Sequence, residues 1–307
     1  YGSQRPWCRE EKIKWICVAP GYDRHFRITE TLGFELLTVR MGKDGPDMDE
    51  VERLALDPAV KGIWCIPKYS NPSGNTYSDE TVERLVAMKC GAPDFRIMWD
   101  NAYAIHDFSR DGDVLANIFE LAEKHGTEDR VFYYSSTSKV TYPGGGVAFM
   151  AASENNRSQI APYLGAQTIG YDKINQLRHV LYLKDKQNTL ALMKRHAQIM
   201  APKFRTVLEK LDANIAPYGF AHWNKPTGGY FVSLNTMHGT AKRALALCAE
   251  AGVTMTDAGA TYPYGIDPND SNIRIAPSLP PLEELEAAMN IFCTCLKLAA
   301  LEKLLAQ

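Results

Sequence analysis

No apolar run in the chain approaches the roughly 18 residues that a membrane-crossing helix needs, so no transmembrane segment is expected. Positive charge is not in excess either. Net charge is -2 and the pI is near 6.4, which argues against a nucleic-acid footprint and against a polybasic membrane-binding patch. The seven cysteines are odd in number and scattered, with no CxxC pair and no Cys/His zinc spacing, so no metal site is expected. Even the closest pair, Cys293 and Cys295, would point to different faces of a helix. Buried free thiols in a reducing, cytoplasmic compartment are the simplest account. The glycines Gly144 to Gly146 are followed by no Gly-Lys-Ser/Thr, which excludes a P-loop. No signal peptide is expected, so the sequon at Asn156-Arg157-Ser158 reads as chance. There is also no initiating methionine. The chain starts at Tyr1, with residues 1–9 reading as a loop already under way, and this suggests a missing N-terminal segment.

What is there is an ordinary globular composition, 45% hydrophobic and 23% charged. A chain of 307 residues can bury about three quarters of its unfolded surface, enough for a large core and more than one domain. Strand-like runs at residues 13–20, 35–41, 62–67, 95–99, 131–134 and 147–152 alternate with helical patterns at 25–33, 79–89 and 114–125. Asp47 and Glu50 stand as in a capping box before Val51, Leu54 and Leu56, and Ser78 is placed to cap the helix from 79. This alternation predicts an α/β fold, a mainly parallel sheet with helices on both faces. From 172 to 211 the pattern becomes one long charged helical stretch. Beyond it come strands at 228–234, 253–255 and 273–276 and helices at 241–251 and 282–305, a smaller α+β unit. The expected organisation is a large α/β domain over 1–171, incomplete at its N-terminus, a helical link over 172–211 and a small α+β domain over 212–307.

Chemistry-bearing residues cluster just past the strand-like runs, where ligands bind in open α/β sheets. Lys139 follows Ser136-Thr137-Ser138. A lysine that forms a Schiff base must be held and desolvated, although a lysine taken alone reads as a solvated surface group. Ser136 and Ser138 alternate along an expected extended segment, so both can donate to phosphate oxygens. Asp100 could keep a proton on a pyridine nitrogen, or be a turn aspartate. Tyr103 and Asn71 could both donate to a phenolic oxygen, while turn chemistry alone also explains Asn71-Pro72-Ser73-Gly74. Tyr22 could stack on a flat ring, with His25 orienting Asp100 from behind. Arg274, between Ile273 and Ile275, has either a solvent face or an anionic partner, and a substrate carboxylate is one such partner. Together these residues are what a pyridoxal phosphate site requires.

The strings that carry the signal are 20–26, 68–74, 99–103, 136–139, 259–265 and 272–277. In that order they resemble fold-type I pyridoxal-phosphate-dependent aminotransferases of class I. Within that class the chain is most similar to the bacterial type Ic aspartate aminotransferases, over essentially all of its length. The resemblance implies Lys139 as the Schiff-base lysine and the proton carrier, with Asp100 on the ring nitrogen. It places Tyr103 and Asn71 on the phenolic oxygen, Ser136 and Ser138 at the phosphate, and Tyr22 on the ring. It puts His25 behind Asp100 and Arg274 on the substrate carboxylate, with Asn71 beside it. It implies a homodimer acting on an amino acid and an oxo acid, most simply aspartate and 2-oxoglutarate, in two ping-pong half-reactions. Two departures stand out. The arginine that most relatives place after the lysine is absent from residues 142–147, where a glycine-rich backbone nest is the substitute. The family's N-terminal phosphate donors are also absent. A dicarboxylic substrate needs a further cation, for which Arg178, Lys173 and His179 are candidates, as is a group from a partner chain.

Three other readings share these features. A C–S lyase or decarboxylase would use the same lysine, aspartate and tyrosine. An aminotransferase-like sensing domain of a transcription regulator would need a basic DNA-binding segment ahead of Tyr1. A chain that folds without binding cofactor is the third.

Overall fold

The structure is a computed structural model and describes residues 2, 5–109 and 112–306. Of the loop expected over 1–9, Tyr1, Ser3 and Gln4 lie outside the described residues, and Trp7–Arg9 forms one 3-10 turn. Strand β1 (Lys14–Ala19) leads to helix α1 (Asp23–Thr31), β2 (Glu35–Arg40), α2 (Met48–Ala55), β3 (Val60–Cys65) and α3 (Asp79–Ala87). There follow β4 (Arg96–Asp100), α4 (Ile118–His125), β5 (Val131–Ser136) and β6 (Ala148–Ala152). The six strands form one sheet in the order β2-β1-β3-β4-β5-β6. All neighbours run parallel except β5 and β6. This is the mainly parallel, helix-flanked sheet that the alternation predicts.

The core explains the pattern. In β1 the burial is nearly continuous, because a strand covered by helices on both faces has no polar side to show. Ile16, Val39, Ile63, Ile97 and Val131 pack with Val51, Val82, Leu85 and Ile118 from the helices. Asp47 accepts from the Glu50 amide and Ser78 from the Thr81 amide, so both expected caps are made.

Next come α5 (Glu154–Gln167), α6 (Lys173–Leu183) and α7 (Lys186–Asn214). The single helical stretch expected over 172–211 is broken. Lys184 sits at a φ of 62°, a left-handed conformation that ends α6, and the Asp185 side chain caps α7 through the Asn188 amide. Helix α5 escaped the sequence reading because its apolar residues have no periodicity. The remaining elements are β7 (His222–Trp223), β8 (Val232–Asn235), α8 (Ala241–Glu250), β9 (Asn272–Ile275) and α9 (Leu282–Leu305). The three strands form an antiparallel sheet in that order. A second core joins Phe204, Val207 and Leu211 of α7 to Val232, Leu234, Ile273 and Ile275, and to Leu285, Met289, Phe292 and Leu296 of α9.

Several expectations need correction. Residues 253–255 form no strand, since they follow α8 without a pairing partner. Helix α4 begins at Ile118 rather than at 114, because Asn117 caps it. Cys8 is exposed and Cys90 half-buried, so only five of the seven free thiols are buried. No helix among the described residues is long and apolar enough to cross a membrane.

Candidate active site

Because β1, β3, β4 and β5 are parallel, their C-terminal ends share one edge of the sheet. Asp100 is the last residue of β4. His25 enters from the first turn of α1, and its Nε2 lies 3.0 Å from Asp100 Oδ2. The imidazole is held from behind. It stacks on Trp64 at 4.3 Å and 13°, and the Trp64 indole nitrogen donates to Thr29 Oγ1 (2.8 Å), whose hydroxyl donates to the His25 carbonyl (2.7 Å). Tyr22, the residue before α1, meets the His25 ring edge-on at 5.1 Å.

The chain leaving β3 makes the turn that carries Asn71. Ser70 Oγ donates to the Ile66 carbonyl, and the Gly74 amide closes onto the Ser70 carbonyl at 2.6 Å. Beneath this turn, the buried Lys68 ammonium lies 2.8 Å from Asp107 Oδ1, which also accepts from Tyr69 Oη at 2.6 Å. Arg274 reaches the turn from β9 in the smaller sheet. Its Nη1 donates to Asn71 Oδ1 at 3.2 Å and to Asp23 Oδ1 at 3.1 Å, while the guanidinium lies over the Phe231 ring. Arg274 Nε is buried and has no hydrogen-bond partner. Arg274 thus has its anionic partner in Asp23 and keeps donor capacity in hand.

Lys139 lies in the turn after β5. That turn is locked from two sides: Thr137 pairs with Val147 through its amide (2.9 Å) and its hydroxyl (2.8 Å), and His179 Nε2 sits 2.9 Å and 3.0 Å from the Thr137 and Thr141 hydroxyls. His179 Nδ1 donates to the Asn175 carbonyl (2.8 Å). The Lys139 ammonium stands 5.2 Å from the centre of the Tyr103 ring. Burial pulls the Lys139 pKa below its ordinary value, and the negative charge of Asp100 resists that shift. Burial, with help from Asp100, pushes the Tyr103 hydroxyl well above its usual range, so it is a hydrogen-bond donor.

The structure therefore brings Tyr22, His25, Asn71, Asp100, Tyr103, Ser136, Lys139 and Arg274 to one sheet edge. Ser138 differs from the expected extended alternation, because it has already entered the turn and its amide donates to Ser136 Oγ at 3.4 Å. Gly146 runs so close to it that a Cβ would meet the Ser138 amide nitrogen at 2.8 Å. Only glycine lets the two backbones converge there. Of the candidates for a distal carboxylate, His179 is buried and fully engaged within the chain. Lys173 and Arg178 are exposed on α6, with Arg178 over the Tyr142 ring. Sequence reading passed over Trp64, Asp107, His106 and Tyr230. A tryptophan in a buried strand gives no signal of what it stacks on, and His106 and Tyr230 meet across 124 residues. Among the described residues no group of side chains is arranged to hold a metal ion.

The model of the family described as aspartate amino-transferase matches residues 1–307, the whole chain. The chain belongs to the aspartate aminotransferase family. An aspartate aminotransferase from Corynebacterium glutamicum is 49% identical over 300 residues, which cover 98% of this chain and 69% of that one. A crystal structure of an aspartate transaminase from Corynebacterium glutamicum overlays with a TM-score of 0.96 at 49% identity, covering 98% of this chain and 71% of the other. The α-aminoadipate aminotransferase of Thermus thermophilus, solved with N-(5'-phosphopyridoxyl)-L-leucine, has a TM-score of 0.80 at 23% identity, covering 95% and 72%. That likeness shows the fold, fold type I. The chain is an enzyme of the aminotransferase class.

Proposed function

We propose that this aminotransferase uses pyridoxal 5'-phosphate to move an amino group from aspartate to 2-oxoglutarate. The observation that carries the reading is the convergence, at one sheet edge, of three groups. These are a desolvated lysine, a carboxylate fixed by a histidine, and an arginine with a buried, unpartnered donor. The residues fit the cofactor in kind. Lys139 would hold its aldehyde carbon, Asp100 its ring nitrogen, Tyr103 and Asn71 its phenolic oxygen, Ser136 and Ser138 its phosphate, and Tyr22 one ring face. When bound, the cofactor supplies an electron sink for the charge that develops at the substrate α-carbon.

The rest is work for the protein. Arg274 Nε and its remaining hydrogens bind and orient the substrate α-carboxylate by charge-assisted hydrogen bonds. Lys139 Nζ, whose neutral form burial favours, takes the proton from the α-carbon and later returns it. His25 Nε2, 3.0 Å from Asp100 Oδ2, holds the carboxylate in place. The reading extends to a homodimer, supported by exposed apolar side chains that include Phe149, Tyr163, Ile169, Ile174 and Leu181. It also extends to a large domain over 1–171, a link over 172–211 and a small domain over 212–307.

The test is to add aspartate alone to the purified protein loaded with pyridoxal phosphate, follow the visible spectrum and identify the products. One equivalent of oxaloacetate, followed by glutamate formation when 2-oxoglutarate is added, is the expected result. Alanine and carbon dioxide would point to decarboxylation instead, and fumarate and ammonia to elimination, and either would overturn it.

A further inference from the structure

The carbonyl oxygen of Lys139 is met by two side chains from distant parts of the chain. His106 Nε2 lies 3.2 Å from it and Tyr230 Oη 3.4 Å. A carbonyl can only accept, so His106 carries its proton on Nε2 and both groups donate. Its other nitrogen, Nδ1, is buried without a partner. An imidazole left half-satisfied in the interior costs free energy, so its one hydrogen bond identifies what the site is built around.

Both donors are themselves fixed. The His106 carbonyl accepts from the Gly229 amide at 3.0 Å, and the Phe108 amide donates to the Thr227 carbonyl at 3.0 Å. Next to His106, Asp107 is anchored by Lys68 and Tyr69. A Cβ on Gly228 would run into the Tyr69 ring and the His106 carbonyl, so only glycine allows this close crossing. The rings of Tyr103, His106 and Tyr230 stand 5.6 to 6.0 Å from one another. Lys139 is therefore held at both ends by one cluster, with its carbonyl on His106 and Tyr230 and its ammonium over Tyr103.

We propose that His106 and Tyr230 are positioning residues that fix the Lys139 backbone, and through it the direction in which Lys139 Nζ reaches the reacting carbon. This rests on the reading of Lys139 given above. A small displacement of a proton-carrying group slows the chemical step without weakening substrate binding. Burial holds His106 neutral, with its pKa near 4, so the donor persists across the working pH range.

The test uses the full enzyme loaded with pyridoxal phosphate and the variants His106→Leu, His106→Gln and Tyr230→Phe. In His106→Leu, kcat should fall about tenfold or more while KM for aspartate stays within about twofold. The pH midpoint of the visible cofactor band should move as well. His106→Gln puts an amide N–H near the position of Nε2 and should restore most of the loss. Tyr230→Phe, which removes the longer contact, should show the same pattern more weakly. An unchanged kcat and band midpoint in both His106→Leu and Tyr230→Phe would overturn the proposal, as would a loss that His106→Gln leaves in place. If His106→Leu does not fold, Tyr230→Phe decides: reduced kcat at unchanged KM supports the proposal, and unchanged kcat refutes it. A parent enzyme with no Lys139-dependent band would instead overturn the reading of Lys139, and this proposal with it.

Discussion

Arg274 Nη1 donates to Asn71 Oδ1 across 3.2 Å, joining the strand of the small sheet to the turn after β3. A guanidinium has no acceptor, so the Asn71 atom facing it is the oxygen, and the amide N–H groups point elsewhere. One contact thereby sets the donor direction of Asn71 and the pose of the arginine. Asn71→Asp would place a second carboxylate beside Arg274, next to Asp23. An extra negative charge there competes with a substrate carboxylate, and the donor is lost as well. The expected outcome is a kcat/KM for aspartate reduced by about ten- to a hundredfold, mostly through KM. Steady-state kinetics checks it, and a KM unchanged from the parent would contradict the role given to Arg274.

His25 offers a separate handle on Asp100. His25→Phe keeps an aromatic ring against Trp64 but removes the nitrogen 3.0 Å from Asp100 Oδ2. Burial of the ring is preserved, so stability should change little, while kcat should fall by about tenfold, the worth of one hydrogen bond to a charged group. Thermal unfolding and kcat measured on the same preparation separate the two effects. A large drop in Tm with kcat intact would make His25 a packing residue only.

Lys139→Ala removes the amine from the turn without touching the Thr137–His179 lock, since those contacts use the threonine hydroxyls and backbone. The variant should fold and should lose the visible band of bound cofactor together with at least about a hundredfold in turnover. Absorption spectroscopy decides it. A band that persists at full intensity would mean another lysine holds the cofactor, and the buried Lys68, beneath the turn that carries Asn71, would be the next to test.

The fold was legible wherever local chemistry decided it. Apolar runs bounded by capping residues gave the strands of the large sheet, and Asp47 and Ser78 named their helix starts. Helix α9 was readable end to end because Leu285, Met289, Phe292 and Leu296 mark one face. The break at Lys184 was not, since a lysine carries no signal for a left-handed backbone. At the site, Lys139, Asp100 and Asn71 announced themselves by standing at or beyond the C-terminal ends of strands. His106 and Tyr230 did not, because their meaning lies in an oxygen that belongs to a third segment. Ser138 misled for a simpler reason: β5 ends at Ser136, and alternation stops with the strand.

The acid limb of the stability curve should carry the signature of His106. Burial lowers its pKa to about 4 in the folded state, with Lys139 and His196 nearby adding to the shift and the Lys139 carbonyl and Asp107 opposing it. Unfolded, a histidine titrates near 6.5. Between those values the unfolded chain binds a proton that the folded chain refuses, so stability falls as pH drops from about 6.5 to about 4, and this residue takes no more below that. The full loss is on the order of 3 kcal/mol. His106→Gln keeps a donor toward Lys139 but cannot titrate. Its unfolding free energy should therefore fall less than the parent's between about pH 7 and about pH 4.5, by roughly 2 kcal/mol. Urea denaturation of both proteins at the two pH values measures the difference. Parallel losses in the two proteins would show that His106 is charged in the fold, which would leave Nδ1 as a buried cationic donor and the arrangement around Lys139 would have to be redrawn.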